Sequence, residues 1–220
     1  MAISKVVLNG TSQIDLTSDT VNPSVLFSGY TAHRADGQLI YGEASALPRG
    51  YYEVEYVTGV SGAMIDTGIQ PDETTYALLK VKPLTITGDV IFGTQANGAD
   101  SADWRLFNYG RGLYWDCYSS RLNGSTFYEN VIRELKVENN KVTDLSNDTI
   151  LLSGNTVGEF DVPYNILING KSTSSTTQAE WYYVQIFKGD SKVRDFVPCY
   201  RNSDGEAGFY DLVTGTFYDS

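Results

Sequence analysis

Histidine is almost missing from this 220-residue chain, and cysteine, methionine and proline are scarce: one His, two Cys, two Met and six Pro. Each shortage removes a class of chemistry. A nucleophile–histidine triad needs an imidazole beside its Ser or Cys. The single imidazole, His33, sits between Ala32 and Arg34 ahead of an Ala35-Asp36-Gly37 turn, far in sequence from both cysteines, which fits a packing or surface role. One His and two scattered Cys provide no zinc-ligand spacing. Cys117 lies in an aromatic run and Cys199 is expected to follow a strand. Both read as small buried hydrophobes, with a bridge between them as the alternative. No segment approaches the ~20 apolar residues of a membrane-spanning helix. Met1–Gly10 lacks a signal-peptide pattern, so synthesis in a cytoplasm without membrane insertion is expected.

Positive charge is also in short supply. Sixteen Lys and Arg face 27 Asp and Glu, a formal net charge of −11. Phosphate binding needs clustered cations, so neither nucleic acid nor a lipid headgroup is an expected partner. Residues 1–46 carry −2 (Lys5 and Arg34 against Asp15, Asp19, Asp36 and Glu43) and the remainder carries −9. An excess spread in this way keeps a protein soluble at high local concentration.

What the chain has in quantity is aromatic residues and glycine: 16 Tyr, 9 Phe, 3 Trp and 21 Gly. With abundant Val and Thr, this composition suits strands joined by tight turns. Strands are predicted at residues 76–82, 89–94, 104–109, 112–119, 133–138, 141–145, 149–152, 165–168, 181–188 and 192–197, with turn clusters between them at the spacing of a β-sandwich. Asn139-Asn140 reads as a hairpin turn with both residues in left-handed space, and Gly189-Asp190 as a second one. Only Ser125–Leu135 offers a weak case for a helix. Residues 1–46 form a separate unit: a Val6–Leu8 strand with an Asn9-Gly10 turn, the apolar Ile14 and Leu16, a capped turn at Asn22-Pro23 carrying Val25, Leu26 and Phe27, then Tyr30–His33 and Leu39–Tyr41 about Asp36-Gly37. This is too little apolar surface for an independent core, so the unit is expected to pack on other chains or on copies of itself.

The last 28 residues carry the most specific pattern. Arg194-Asp195-Phe196-Val197-Pro198 leads through Asp204-Gly205 into Gly208-Phe209-Tyr210-Asp211-Leu212-Val213, then Gly215-Thr216-Phe217-Tyr218. This segment resembles the closing strands of concanavalin A-like (laminin G-like) β-sandwich domains found in phage and prophage virion proteins of gut bacteria. Ile65-Asp66-Thr67-Gly68 with the Pro71-Asp72-Glu73 turn resembles the opening of the same domain. Residues 3–43, with Ile14-Asp15-Leu16-Thr17 and Gly29-Tyr30-Thr31-Ala32-His33, resemble a segment preceding the variable distal domain of phage tail and fibre proteins. The resemblance implies an all-β protein: a concanavalin A-like (jelly-roll) antiparallel sandwich over residues 47–220, preceded by a small β-rich attachment unit at 1–46 that includes Ile14, Leu16, Val25, Leu26, Phe27, Tyr30 and His33.

Such a sandwich raises the question of glycoside hydrolysis, which needs two carboxylates facing each other across a sugar. Glu53 and Glu55 have same-face spacing but lie in the opening strand, Asp100 and Asp103 lie in a loop, and Glu129 and Glu134 have the wrong spacing for a strand. None matches the acidic motif of the fold's hydrolase branch, so no enzymatic activity is expected. Calcium is the one cofactor weighed, with Asn97, Asp100 and Asp103 as candidate ligands. Asp and Asn clusters near Asn147 and Asn202 are alternatives, and ordinary turn composition accounts for all three. The more pointed run is Trp104–Asp116. Alternation about Gly110-Arg111-Gly112 puts Trp104, Leu106 and Asn108 on one face, with Arg105, Phe107 and Tyr109 on the other. Two readings stand: an aromatic core hairpin, or a sugar-stacking surface built from Trp104, Arg105, Asn108, Tyr109, Tyr114 and Trp115.

The expectation is therefore a virion structural protein, associated with tail, baseplate or capsid and oligomeric. Its residues 1–46 would contact other virion proteins, and its sandwich would meet host-surface or mucosal glycans. A purely structural subunit touching only virion proteins is the alternative.

Overall fold

A computed structural model describes residues 5–8, 11–15, 20–23, 26, 31–42, 46–59, 63–85, 90–94, 103–118, 120–155, 162–170 and 177–219. The chain divides into two units, Met1–Arg49 and Gly50–Ser220.

In the first unit β1 (Lys5–Leu8) and β2 (Thr11–Asp15) form an antiparallel pair with Val6 opposite Ile14. A second pair joins β3 (Thr31–His33) to β4 (Leu39–Tyr41), with Ala32 opposite Ile40. The turn between them works as its sequence predicts: Gly37 takes φ +79° and the Asp36 carboxylate accepts from Gln38 N at 2.9 Å. Ile40 is buried, Leu26 half-buried and His33 exposed. The Asn9-Gly10 step, and Leu16, Val25, Phe27 and Tyr30 of the expected attachment surface, lie outside the described residues.

The second unit holds two antiparallel sheets. Its strands are β5 (Tyr51–Glu53), β6 (Val57–Gly59), β7 (Ile65–Asp66), β8 (Thr75–Pro83), β9 (Val90–Gly93), β10 (Asp103–Tyr109), β11 (Gly112–Tyr118) and β12 (Ser120–Thr126), then β13 (Arg133–Glu138), β14 (Lys141–Asp144), β15 (Thr149–Ser153), β16 (Leu167–Ile168), β17 (Ala179–Lys188), β18 (Ser191–Arg201), β19 (Ala207–Asp211) and β20 (Thr216–Tyr218). One sheet runs β12-β11-β10-β9-β16-β7 and the other β15-β14-β13-β8-β17-β18-β19-β20. The second sheet forks. β17 and β18 pair as far as Val184–Phe196; beyond that β6 pairs with Ala179–Trp181 and β5 with Cys199–Arg201, so β5 and β6 fill the opening.

Alternation explains the layers. Along β8, Thr75, Ala77, Leu79, Val81 and Pro83 are buried while Tyr76, Leu78, Lys80 and Lys82 are half-buried on the other face. Inward residues of both sheets meet in one core: Leu79, Leu135, Val137, Trp181, Ile186, Phe196 and Phe209 from the larger sheet, and Phe92, Trp104, Leu106, Leu113 and Trp115 from the smaller. The described residues of this unit form an all-β sandwich.

Two half-sheets of the larger layer repeat one design. In β13–β15, Leu135 lies opposite Asp144 and Asp144 opposite Thr149. In β18–β20, Phe196 lies opposite Asp211 and Asp211 opposite Thr216. An Arg two residues before the core residue reaches the Asp in each, Arg133 Nη1 at 2.7 Å and Arg194 Nε at 3.5 Å. Leu145 N donates to Glu134 O at 2.7 Å, and Leu212 N to Asp195 O at 2.9 Å. The half-sheets flank β8 and β17, where Leu79 pairs with Val184.

Three expectations are corrected. Ser125–Leu135 forms no helix; it spans the end of β12, a loop and the start of β13. Neither Asn139 nor Asn140 has a positive φ; the Asn139 side chain ties the turn to distant segments, accepting from Trp104 Nε1 at 3.0 Å and donating to Glu73 O at 2.6 Å. Cys199 lies within β18 rather than after a strand, since the strand continues through Pro198. The Pro198 carbonyl accepts from Val54 N at 3.1 Å, so its missing N–H faces the place where β5 has already ended.

Candidate functional site

The outer face of β10, β11 and β12 carries the densest grouping of aromatic and charged side chains singled out from the sequence. Register builds it in rows. Arg105, Asp116 and Arg121 lie side by side across the three strands, and Phe107, Tyr114 and Asn123 form the next row. Gly93 makes room for the first row on the neighbouring strand. A Cβ there would sit 2.2 Å from Trp104 O and 2.4 Å from Arg105 Cα.

The first row is an ion-pair network. Arg105 Nη2 lies 2.9 Å from both Asp103 Oδ2 and Asp116 Oδ2, and Arg121 Nε lies 2.6 Å from Asp116 Oδ1. Arg121 Nη2 adds a bond of 2.9 Å to Asp116 Oδ2, making that contact bidentate. The Asp116 carboxylate holds the Arg121 pKa above its ordinary value. Both guanidinium groups also lie over the Phe107 ring, at 5.2 and 5.3 Å from its centroid. Phe107 stacks on Tyr114 at 5.1 Å and 18°, and Tyr109 meets Tyr114 edge-on at 6.4 Å. Tyr109 is 68% exposed at the hairpin end. Tyr114 and the two guanidinium groups thus cover the Phe107 ring, and the exposed ring of this face is Tyr109, with polar groups beside it; an exposed aromatic ring next to hydrogen-bonding groups is a surface on which a sugar can pack.

The six residues proposed from sequence separate by face. Arg105, Tyr109 and Tyr114 point outward together. Trp104, Asn108 and Trp115 are fully buried, as the alternation of Trp104–Tyr109 requires. The two indoles meet edge-on at 4.8 Å inside the core, and Asn139 receives both of their N–H groups, Trp104 Nε1 on its side chain and Trp115 Nε1 on its carbonyl at 3.3 Å. Side chains this deeply buried present nothing to a surface ligand. Phe107, Asp116, Arg121 and Asn123 belong to the outer face and were not among the six; the partners of the same-face residues across the register would have pointed to them.

Of the proposed calcium ligands, Asp103 is engaged by Arg105, and Asn97 and Asp100 lie outside the described residues. Among the carboxylates weighed for hydrolysis, Glu53 and Glu55 are exposed. Glu134 accepts from Tyr183 Oη at 2.7 Å, and the phenol's pKa is raised by burial and by that carboxylate. Both cysteines are free and buried.

A concavity of about 220 Å³ elsewhere in the unit is lined by Val57, Gly59, Ile65, Asn169, Trp181 and Phe209 among others. Asn169 organises its wall. At φ +69° it accepts from Trp181 Nε1 at 3.2 Å and donates to Ala63 O at 2.7 Å. Gly59 is obligatory beside it, because a Cβ would fall 2.4 Å from the Asn169 amide.

Compared with known proteins, the sequence matches no family model and no curated protein.

Proposed function

We propose that this chain is a structural subunit of a phage virion whose concanavalin A-like sandwich presents a glycan-binding face on β10–β12, with residues 1–46 attaching it to neighbouring virion proteins. The observation that carries the binding role is the exposed Tyr109 ring beside the Phe107–Tyr114 stack and the Arg105 and Arg121 guanidinium groups. The virion role rests on the resemblance of residues 193–218 and 3–43 to virion proteins, and the homo-oligomeric state on the slight apolar content of the first unit.

A glycan array probed with the full chain, with and without calcium, tests the binding role. The expected result is a reproducible set of hits that Tyr109→Ala abolishes without changing the far-UV spectrum. A blank array from folded protein defeats it. Calcium dependence of the hits would add a metal to the proposal. Attachment is tested by omitting residues 1–46 during particle assembly; undiminished incorporation defeats that part.

A purely structural role is the second reading. It is favoured by the exposed Tyr128, Val131 and Ile132 between β12 and β13, an apolar stretch suited to contact with another protein. It gives the blank array together with an intact oligomer.

A further inference from the structure

We infer that the β10–β12 face selects uncharged saccharides and discriminates against acidic ones; this rests on the glycan-binding reading above. Arg105 and Arg121, the two cations over the Phe107 ring, are already paired. Asp116 takes a bidentate pair of bonds from Arg121 and two more from Arg105, whose Nη2 is shared with Asp103. Two Arg and two Asp leave the group with no net charge. A carboxylated or sulfated sugar meets two guanidinium groups whose charge the two carboxylates already offset, and to pair with the largely covered Arg105 it has to displace Asp116. The Asp116 side chain is only 7% exposed, so water cannot take over the bonds it loses, and a displaced carboxylate stays desolvated and unpaired. The chain's net charge of −11 adds repulsion.

A neutral pyranose meets none of these costs. Its C–H face packs on the exposed Tyr109 ring, and its hydroxyls fall beside the exposed Asn123 and Arg121, whose side chain is 54% exposed. The ion pairs then act as a rigid frame that holds Phe107 and Tyr114 in their stack, and at the same time as the element that rejects the wrong ligand.

The test uses the full chain and immobilised saccharides in matched pairs, each a neutral glycan and the same glycan ending in a carboxylated sugar. Binding to the neutral member is expected to exceed that to the acidic member about tenfold or more, and to change less than about twofold between low and high salt, since no counterions are released. Asp116→Asn removes one of the two carboxylates, leaving two guanidinium groups against Asp103 alone, and is expected to shift the ratio towards the acidic member. Tyr109→Ala, at an exposed position, is expected to lower binding to both members while leaving the fold intact. Equal or tighter binding of the acidic member by the unaltered chain overturns the inference and leaves the glycan-binding reading standing. A blank on every pair overturns both.

Discussion

Asp144 and Asp211 hold equivalent places in the two half-sheets that flank β8 and β17. Each is fully buried, lies opposite a core residue, pairs with an Arg on the adjacent strand and caps the turn that follows it. Asp144 accepts from Ser146 N at 3.1 Å and Ser146 Oγ at 2.5 Å. Asp211 accepts from Val213 N at 3.1 Å and Thr214 Oγ1 at 2.7 Å, and also from Asp195 N at 2.8 Å. The turns close with a left-handed residue at the same offset, Asp148 at φ +58° and Gly215 at φ +69°.

Asp144→Ala and Asp211→Ala should each destabilise the sandwich by about 3 kcal/mol, because each strands a partly buried Arg together with turn donors. Denaturant midpoints measure this. A change below about 1 kcal/mol for either would show that its network is dispensable.

Stability should fall in acid over a defined window. At Asp72, burial works against the charged form, but Lys188, Thr74 and Thr75 outweigh it and hold the pKa down to about 2. A carboxylate depressed in the folded state stabilises above its unfolded pKa and loses that contribution as pH falls towards its folded one. The gap in midpoint between the unaltered chain and Asp72→Asn should therefore be constant at neutral pH, shrink below about pH 4 and vanish near pH 2. A gap independent of pH would contradict the assignment. Asp144 is lowered as well, with Ser146 and Arg133 overcoming its burial, so its pair weakens in the same direction.

Asn139→Ala should leave the Trp104 indole N–H without its acceptor and Glu73 O without its donor, at a cost of about 1–3 kcal/mol. Tryptophan fluorescence should report the change, since Trp104 and Trp115 touch inside the core. An unaltered spectrum and midpoint would mean that the bridge contributes nothing.

Neither thiol should react in the folded protein. Burial raises Cys117 to about 12; it also raises Cys199, helped by Glu53 and opposed by the Tyr210 amide, to about 11. An aromatic disulfide reagent at pH 8 should detect no thiol in native protein and two per chain after denaturation. Early release of either would place that cysteine on an opening segment.

Much of this architecture is legible in the sequence, and the failures have local causes. Arg133–Glu138 reads as a strand with its observed bounds, and Trp104–Tyr109 alternates as expected, because both pack one face on a core. β12 escaped notice because an edge strand needs little apolar content, and Ser120–Thr126 has one large apolar residue, Leu122. Pro198 suggested a stop where a fork in the sheet tolerates it. The paired half-sheets were hidden by unequal spacing: Arg133 precedes Asp144 by 11 residues, whereas Arg194 precedes Asp211 by 17. On the β10–β12 face the hairpin about Gly110-Arg111-Gly112 was legible, but Trp104 and Trp115 drew attention as sugar-stacking residues while their indoles are core.

The β8–β17 seam sets an order of assembly. Each outer meander closes through turns of a few residues, whereas Thr75–Pro83 must find Ala179–Lys188 across most of the domain. Loop-closure entropy makes that docking the slow event, so the two meanders form early and wait for each other. Substitutions at Asp144 and Asp211 weaken the preformed pieces and should therefore slow refolding, as should those at Leu79 or Val184 in the seam itself.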